Sequence, residues 1–187
     1  MISAIITDFD GTLVDTFEAN LCAYQKAFAE VGLSLTSEKY RQCFGYRFDR
    51  FMNEMSVSDM SVAETIRENK MRVYSDFFDL IKLNTVLFSF ISCFHRAGGK
   101  TAIASTARKE NLLNVINYLG ISEHFDFVCA GEDVENGKPS PEIYLKATER
   151  LGVLPSETLI FEDSKIGFLA AESSGANCFS ITTDWFE

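Results

Sequence analysis

The chain has 187 residues, with 17 Lys and Arg against 27 Asp and Glu, giving a formal net charge of −10. That balance disfavours nucleic-acid binding, whose affinity comes largely from Lys and Arg on phosphates. The apolar fraction is 47%. No apolar run approaches the ~20 residues of a membrane span, and no charged start followed by an apolar stretch suggests a signal peptide, so the expected compartment is the cytoplasm.

Residues 2–6 form an apolar run that reads as a buried strand. The string Asp8-Phe9-Asp10-Gly11-Thr12-Leu13-Val14-Asp15-Thr16 follows. Carboxylates two residues apart, just past a strand end, point the same way. Gly11 lets the chain turn sharply there. Two close carboxylates repel, so a shared proton or a divalent cation is expected to compensate them. Oxygen ligands at a sheet's carboxyl edge suit Mg²⁺.

Residues 16–84 read as all-helical. Asp15-Thr16-Phe17-Glu18 has capping-box spacing, and Phe17, Leu21, Tyr24 and Phe28 recur at helical intervals before Gly32. Short helices are expected over 37–43 and 48–55, and one longer helix over 59–81. Their apolar stripes read as the core of a small helical domain.

From Thr85 the pattern changes. A stripe through Val86, Leu87, Phe90, Ile91 and Phe94 closes at Gly98-Gly99. Strands are expected over 100–105, 125–130, 158–161 and 176–181. Helices are expected over 108–119, from Ser140-Pro141 to Gly152, and over 164–174. Strands alternating with helices specify a parallel α/β sheet covered on both faces. Such sheets bind ligands outside the carboxyl ends of their strands.

Three further clusters fall at those ends. Ile103-Ala104-Ser105-Thr106 places hydroxyls and backbone N–H groups before a helix, a cradle for a phosphate. Gly137-Lys138-Pro139-Ser140-Pro141 holds a lysine between rigid prolines as a fixed point charge. Phe161-Glu162-Asp163-Ser164-Lys165-Ile166-Gly167 puts adjacent carboxylates at a strand end, where they point to opposite sides. The five cysteines are scattered without CxxC spacing and read as buried, reduced thiols. Neither His95 nor His124 sits in a metal-like cluster.

In this order the four clusters resemble motifs I to IV of the haloacid dehalogenase (HAD) superfamily, and the resemblance covers nearly the whole α/β part. It implies a HAD-like Rossmannoid parallel-sheet core, residues 1–15 and 85–187, with an inserted α-helical C1-type cap over 16–84. The implied activity is a Mg²⁺-dependent phosphatase acting on a small phosphorylated metabolite. Candidates are a sugar phosphate, phosphoglycolate or a nucleotide.

By the same resemblance Asp8 attacks phosphorus to give an aspartyl-phosphate, and Asp10 serves as general acid and base. Ser105 and Lys138 hold the phosphoryl oxygens. Mg²⁺ is held by Asp8, the backbone carbonyl of Asp10 and Asp163, with Glu162 as a ligand or orienting a bound water. Thr12 and the Thr106 N–H help position Asp10, the loop or the phosphate. An acidic chain can take such a substrate through a local cation and a few donors.

Substrate choice is expected from the cap, where Phe44-Gly45-Tyr46-Arg47 is a candidate loop. Arg47 is a candidate fork donor, with pairing to Asp49 or Glu54 as the competing reading. Asn20, Tyr24 and Arg108 are further candidates. Two other functions stand beside the phosphatase. A phosphomutase of the β-phosphoglucomutase type carries a His five positions after the Asp at 15, where this chain has Asn20. A non-catalytic binding protein would keep the fold without needing clustered charge. The tail Asp184-Trp185-Phe186 is expected to cover a sheet edge or meet a second subunit, and the oligomeric state is left open.

Overall fold

The computed structural model describes residues 1–182; the Asp184-Trp185-Phe186 tail lies outside them. The chain divides into two compact units. One is Met1–Asp15 with the chain from Lys82 onward; the other is Thr16–Ile81.

The first unit opens with β1 (Ala4–Thr7), buried along its whole length, as an apolar run covered on both faces requires. A turn through Gly11, at φ +95°, leads into the short β2 (Val14–Asp15). The second unit supplies α1 (Phe17–Glu30), α2 (Ser37–Cys43), α3 (Phe48–Glu54), α4 (Met60–Val73) and a 3₁₀ helix over Tyr74–Leu80. The chain then returns through β3 (Lys82–Leu83), α5 (Thr85–Arg96), β4 (Lys100–Ala104), α6 (Lys109–Leu119) and β5 (Phe127–Cys129). It closes with α7 (Glu142–Leu151), β6 (Thr158–Glu162), α8 (Lys165–Ser174) and β7 (Asn177–Ser180).

Five of these strands form a sheet in the order β5-β4-β1-β6-β7, every neighbouring pair parallel. Thr7 lies level with Ile103 on one side and Phe161 on the other. The three central strands therefore run out together and release Asp8, Ser105 and Glu162-Asp163 at one carboxyl edge. Ala4, Ile6, Ala102, Ala104 and Ile160 pack against Ile143, Tyr144, Ala147 and Leu151 of α7 and Ala170 and Ala171 of α8. Ile5 and Ile103, at alternate positions, are equally buried, so the other face is covered too. Gly120, Gly152 and Gly175 end α6, α7 and α8 in the left-handed conformation that glycine adopts without a Cβ clash.

The helical unit has its own core of Leu21, Phe28, Leu35, Tyr40, Phe51, Met52 and Ile66 among others. Tyr40 is its hub, with the rings of Phe17, Tyr24, Phe44 and Phe51 between 5.4 and 5.9 Å away. Side chains of Thr36 and Asp59 cap α2 and α4.

Several expectations are revised. The single helix expected over 59–81 is α-helical only to Val73. The run Tyr74-Ser75-Asp76-Phe77-Phe78-Asp79 is poor in strong helix formers and tightens into the 3₁₀ segment. Thr16 takes the cap position of α1, and its side chain makes no cap hydrogen bond there. The strand expected over 125–130 is reduced to Phe127–Cys129 by 3₁₀ turns at Ser122–His124 and Gly131–Asp133. Pro141 occupies the cap position of α7 rather than its first turn. The helical unit stops at Ile81 rather than 84, because Lys82–Leu83 pair antiparallel with Val14–Asp15. All five cysteines are free, but only Cys43 and Cys129 are fully buried and Cys93 is exposed. Among the described residues no helix is long and apolar enough to cross a membrane.

Candidate active site

The carboxyl edge of the sheet gathers an acidic cluster around one lysine. Asp8 follows β1 directly, and its backbone N–H bonds the Phe161 carbonyl at 2.9 Å, so the β1–β6 ladder fixes its position. The Lys138 side chain is 3% exposed. Its Nζ lies 2.5 Å from Asp8 Oδ1 and 2.7 Å from Glu162 Oε2. Oxygens of Asp8, Glu162 and Asp163 lie within 4.8 Å of one another.

Glu162 is the most heavily engaged of the three. Its Oε1 accepts from the Asp163 N–H, the Ser164 N–H and the Ser164 hydroxyl, at 3.2, 3.0 and 2.8 Å. Its Oε2 accepts from Lys138 and from the Tyr144 hydroxyl at 2.5 Å. Those donors use the roughly four lone-pair directions a carboxylate offers. Ser164 also caps α8 by accepting the Gly167 N–H at 3.0 Å, as its place before the helix predicts. Asp163 Oδ1 accepts from the Thr12 hydroxyl at 2.8 Å. Ser105 Oγ donates to Asp10 Oδ2 at 3.2 Å and accepts the Ala107 N–H at 3.0 Å, which ties Asp10 to the loop entering α6.

Electrostatics follow from this crowding. Burial, then repulsion from Glu162, pushes the Asp8 carboxyl well above the usual carboxylate range, against the pull of Lys138. Burial also raises Asp163, to about 6, with Thr12 opposing and Glu162 reinforcing. Burial works against ionised Glu162 as well, but Lys138 and the donors around it outweigh that, so it stays below its ordinary value. Burial disfavours the Lys138 charge, yet Asp8 foremost, then Tyr144 and Glu162, hold its pKa above the ordinary lysine value. Three carboxylates face one ammonium, so the pocket retains negative charge. A hard divalent cation suits that all-oxygen set.

Two glycines beside the carboxylates are demanded by close approach. A Cβ on Gly11 would sit 2.4 Å from Asp163 Oδ2, and one on Gly167 would sit 2.0 Å from Glu162 Oε2.

The structure thus brings Asp8, Asp10, Ser105, Lys138, Glu162 and Asp163 together. Thr12 is fully buried and donates its hydroxyl to Asp163. The Thr106 carbonyl is approached so closely by Gly131 that a Cβ there would lie 2.4 Å away. Arg108 Nε is engaged with Glu132 Oε1 at 3.1 Å.

Asn20 and Arg47 belong to the helical unit. Asn20 Nδ2 donates to the Thr16 carbonyl at 3.1 Å. Arg47 is the cap residue of α3, and its carbonyl accepts the Phe51 N–H at 2.9 Å. Tyr24 packs into the aromatic core of that unit.

Sequence reasoning missed Tyr144. A signal was present: Ile143, Tyr144, Ala147 and Leu151 make the buried stripe of α7, and a buried tyrosine must find a partner for its hydroxyl.

Comparison with known proteins agrees with this geometry. The family profile described as haloacid dehalogenase-like hydrolase matches residues 5–181. The phosphorylated carbohydrates phosphatase of Thermotoga maritima is 32% identical over 180 residues, 93% of this chain and 82% of that protein. The fructose-1-phosphate phosphatase of Escherichia coli is 25% identical over 96% of each chain. The crystal structure of CbbY from Rhodobacter sphaeroides in complex with phosphate superposes with a TM-score of 0.88 at 28% identity, covering 100% of this chain and 89% of that one. The family match and these relatives mark the chain as a hydrolase of the phosphoryl-handling kind. The chain belongs to the haloacid dehalogenase-like hydrolases, among their phosphatase and phosphoglucomutase-like members.

Proposed function

We propose that the protein is a Mg²⁺-dependent phosphatase of small phosphomonoesters that works through an aspartyl-phosphate on Asp8. The observation that carries this is the Lys138 ammonium held between Asp8 and Glu162 at a sheet edge that also presents Asp10 and Asp163. Its relatives include named phosphatases of phosphorylated carbohydrates and of fructose 1-phosphate, which supports testing sugar phosphates first.

The carboxylates of Asp8 and Asp163, with the Asp10 carbonyl, would hold the cation. Glu162, its oxygens already engaged, stands behind them and anchors Lys138. Bound Mg²⁺ supplies positive charge that offsets the repulsion between an anionic nucleophile and an anionic ester.

The chain's own groups do the rest. An Asp8 oxygen forms the bond to phosphorus while the ester P–O bond breaks, and the electron pair leaves with the alkoxide. Asp10 gives that oxygen its proton, then takes one from the water that cleaves the acyl-phosphate. Ser105 orients the Asp10 carboxyl, and Lys138 neutralises charge on Asp8 and the phosphoryl oxygens. An Asp at position 10 suits an oxygen leaving group, which needs that proton.

The decisive experiment measures inorganic phosphate released from a panel of sugar phosphates with Mg²⁺. Asp8→Asn should lower turnover at least a thousandfold while the fold persists. Normal turnover in that variant would remove Asp8 as nucleophile. Isomerised sugar phosphate in place of free phosphate would turn the reading to a phosphomutase.

A further inference from the structure

Lys138 sits in the loop between the 3₁₀ turn Gly131–Asp133 and α7, and what shapes that loop lies outside the acidic cluster. Glu142 is the first residue of α7. Its carboxylate reaches back over the loop. Oε1 accepts the Glu135 N–H at 2.7 Å, and Oε2 accepts the Asn136 N–H at 2.8 Å and the Asn136 side-chain amide at 3.2 Å. Lys146, one turn further along α7, donates its ammonium to the Asp133 carbonyl. Glu142 and Lys146 thus lie on one face of the helix and pin residues 133–136, just ahead of Lys138. On the buried side of the same helix, Tyr144 donates to the Glu162 oxygen that also accepts Lys138. One helix therefore fixes both the loop that carries the lysine and the carboxylate that receives it.

We propose that Glu142 is a positioning residue for Lys138: by closing the loop at Glu135 and Asn136 it delivers the buried ammonium to Asp8, although it touches none of the reacting groups. This rests on the phosphatase reading for its kinetic consequence but not for its structural one. Without the Glu142 carboxylate, water satisfies the two exposed N–H groups and the fold survives. The loop then no longer has a single closed shape. A displacement of about 1 Å in a charged group at a reaction centre is enough for a rate loss of order a hundredfold.

The test compares wild type, E142A, E142Q and the control E149A, which removes an exposed carboxylate from the same helix. Lysine labelling with an amine-reactive acetylating reagent, read by peptide mass spectrometry, gives the position of Lys138 without any assay of turnover. Lys138 should be protected in wild type and E149A, and should label at least fivefold faster in E142A. Cys129, fully buried in the α/β unit, reports opening of that unit to a thiol reagent, Lys70, 3% exposed, reports opening of the helical unit, and both should stay protected.

With p-nitrophenyl phosphate and Mg²⁺, E142A should lose at least tenfold in kcat with KM within twofold. E142Q, which keeps one acceptor oxygen, should fall between E142A and wild type. Unchanged Lys138 labelling in E142A overturns the proposal, as does Lys138 becoming reactive together with Cys129 or Lys70. If E142A does not fold, wild-type labelling and turnover in E142Q overturn it. A wild-type protein that hydrolyses no phosphomonoester, yet shows selective Lys138 exposure in E142A, refutes the phosphatase reading and leaves the positioning role standing.

Discussion

At the scale of single residues, the acidic edge makes stability and metal binding depend on pH in a definite direction. Burial lifts the Asp163 carboxyl from its ordinary 3.8 to about 6 in the folded protein. A raised carboxyl favours folding fully below the unfolded pKa, and that contribution disappears as pH rises through the folded value. The metal-free protein should therefore lose stability between about pH 4 and 6.5 through this group. A cation competing for the same oxygens reverses the loss. Mg²⁺ should thus raise Tm clearly at pH 7.5 and little at pH 5, measured by thermal melts with Mg²⁺ or EDTA. An equal Mg²⁺ shift at both values would mean that Asp163 does not hold the ion.

Tyr144 gives a second residue-scale expectation. Tyr144→Phe removes one of the donors on Glu162 and leaves the ring in place. It should cost about 1–2 kcal/mol in denaturant unfolding and slow turnover several-fold. An unchanged unfolding midpoint would show that the hydroxyl bond adds nothing. Gly167 is tighter still, since its missing Cβ makes room for Glu162 Oε2 at 2.0 Å. Gly167→Ala should displace that carboxylate and impair both stability and turnover; a variant matching wild type in both would show that the glutamate can give way freely.

At the scale of elements, the sequence was readable where local pattern and tertiary demand coincide. β1, β4 and β6 are largely apolar runs followed at once by polar side chains, a pattern that puts Asp8, Ser105 and Glu162-Asp163 at strand ends from the sequence alone. Glycine stops after α6, α7 and α8 were equally plain. The breakdowns occur where a distant partner decides. Thr12 looks like a substrate or loop contact until Asp163, far along the chain, takes its hydroxyl. Glu142 looks like an ordinary helix residue until the loop ahead of α7 folds back on it, and Tyr144 does until Glu162 at the end of β6 takes its hydroxyl. The ribbon of β2 and β3 is two residues per strand, too short for any periodicity to register. The core of the sheet carries its own prediction. Ile6→Ala, at a position with no solvent exposure among α7 and α8 side chains, should cost about 2–5 kcal/mol in urea unfolding. A loss below about 1 kcal/mol would show that the site collapses around the gap.

At the scale of the whole molecule, the net charge of −10 works against the substrate that the site is proposed to take. A dianionic phosphomonoester approaches a chain of its own sign, and at the site the buried Lys138 ammonium opposes that field. Screening weakens long-range repulsion once charges are separated by more than about 10 Å at 0.1 M salt. At saturating Mg²⁺, kcat/KM should therefore rise modestly, up to a few-fold, between 20 and 150 mM KCl; a fall would mean that attraction, not repulsion, governs encounter. The helical unit contributes its own core and its own candidates, Asn20 and Arg47. Exchanging that unit, with the α/β part intact, is the direct way to ask which half selects the substrate.

The small ribbon joining Val14–Asp15 to Lys82–Leu83 bears on that exchange. Entry to and exit from the 66-residue excursion Thr16–Ile81 run side by side, about 5 Å apart as hydrogen-bonded strands are. From the sheet's standpoint the excursion begins and ends at one doorway. A lineage can lengthen, shorten or replace the cassette beyond that doorway without re-registering one core strand, and an engineer can do the same with a two-residue turn.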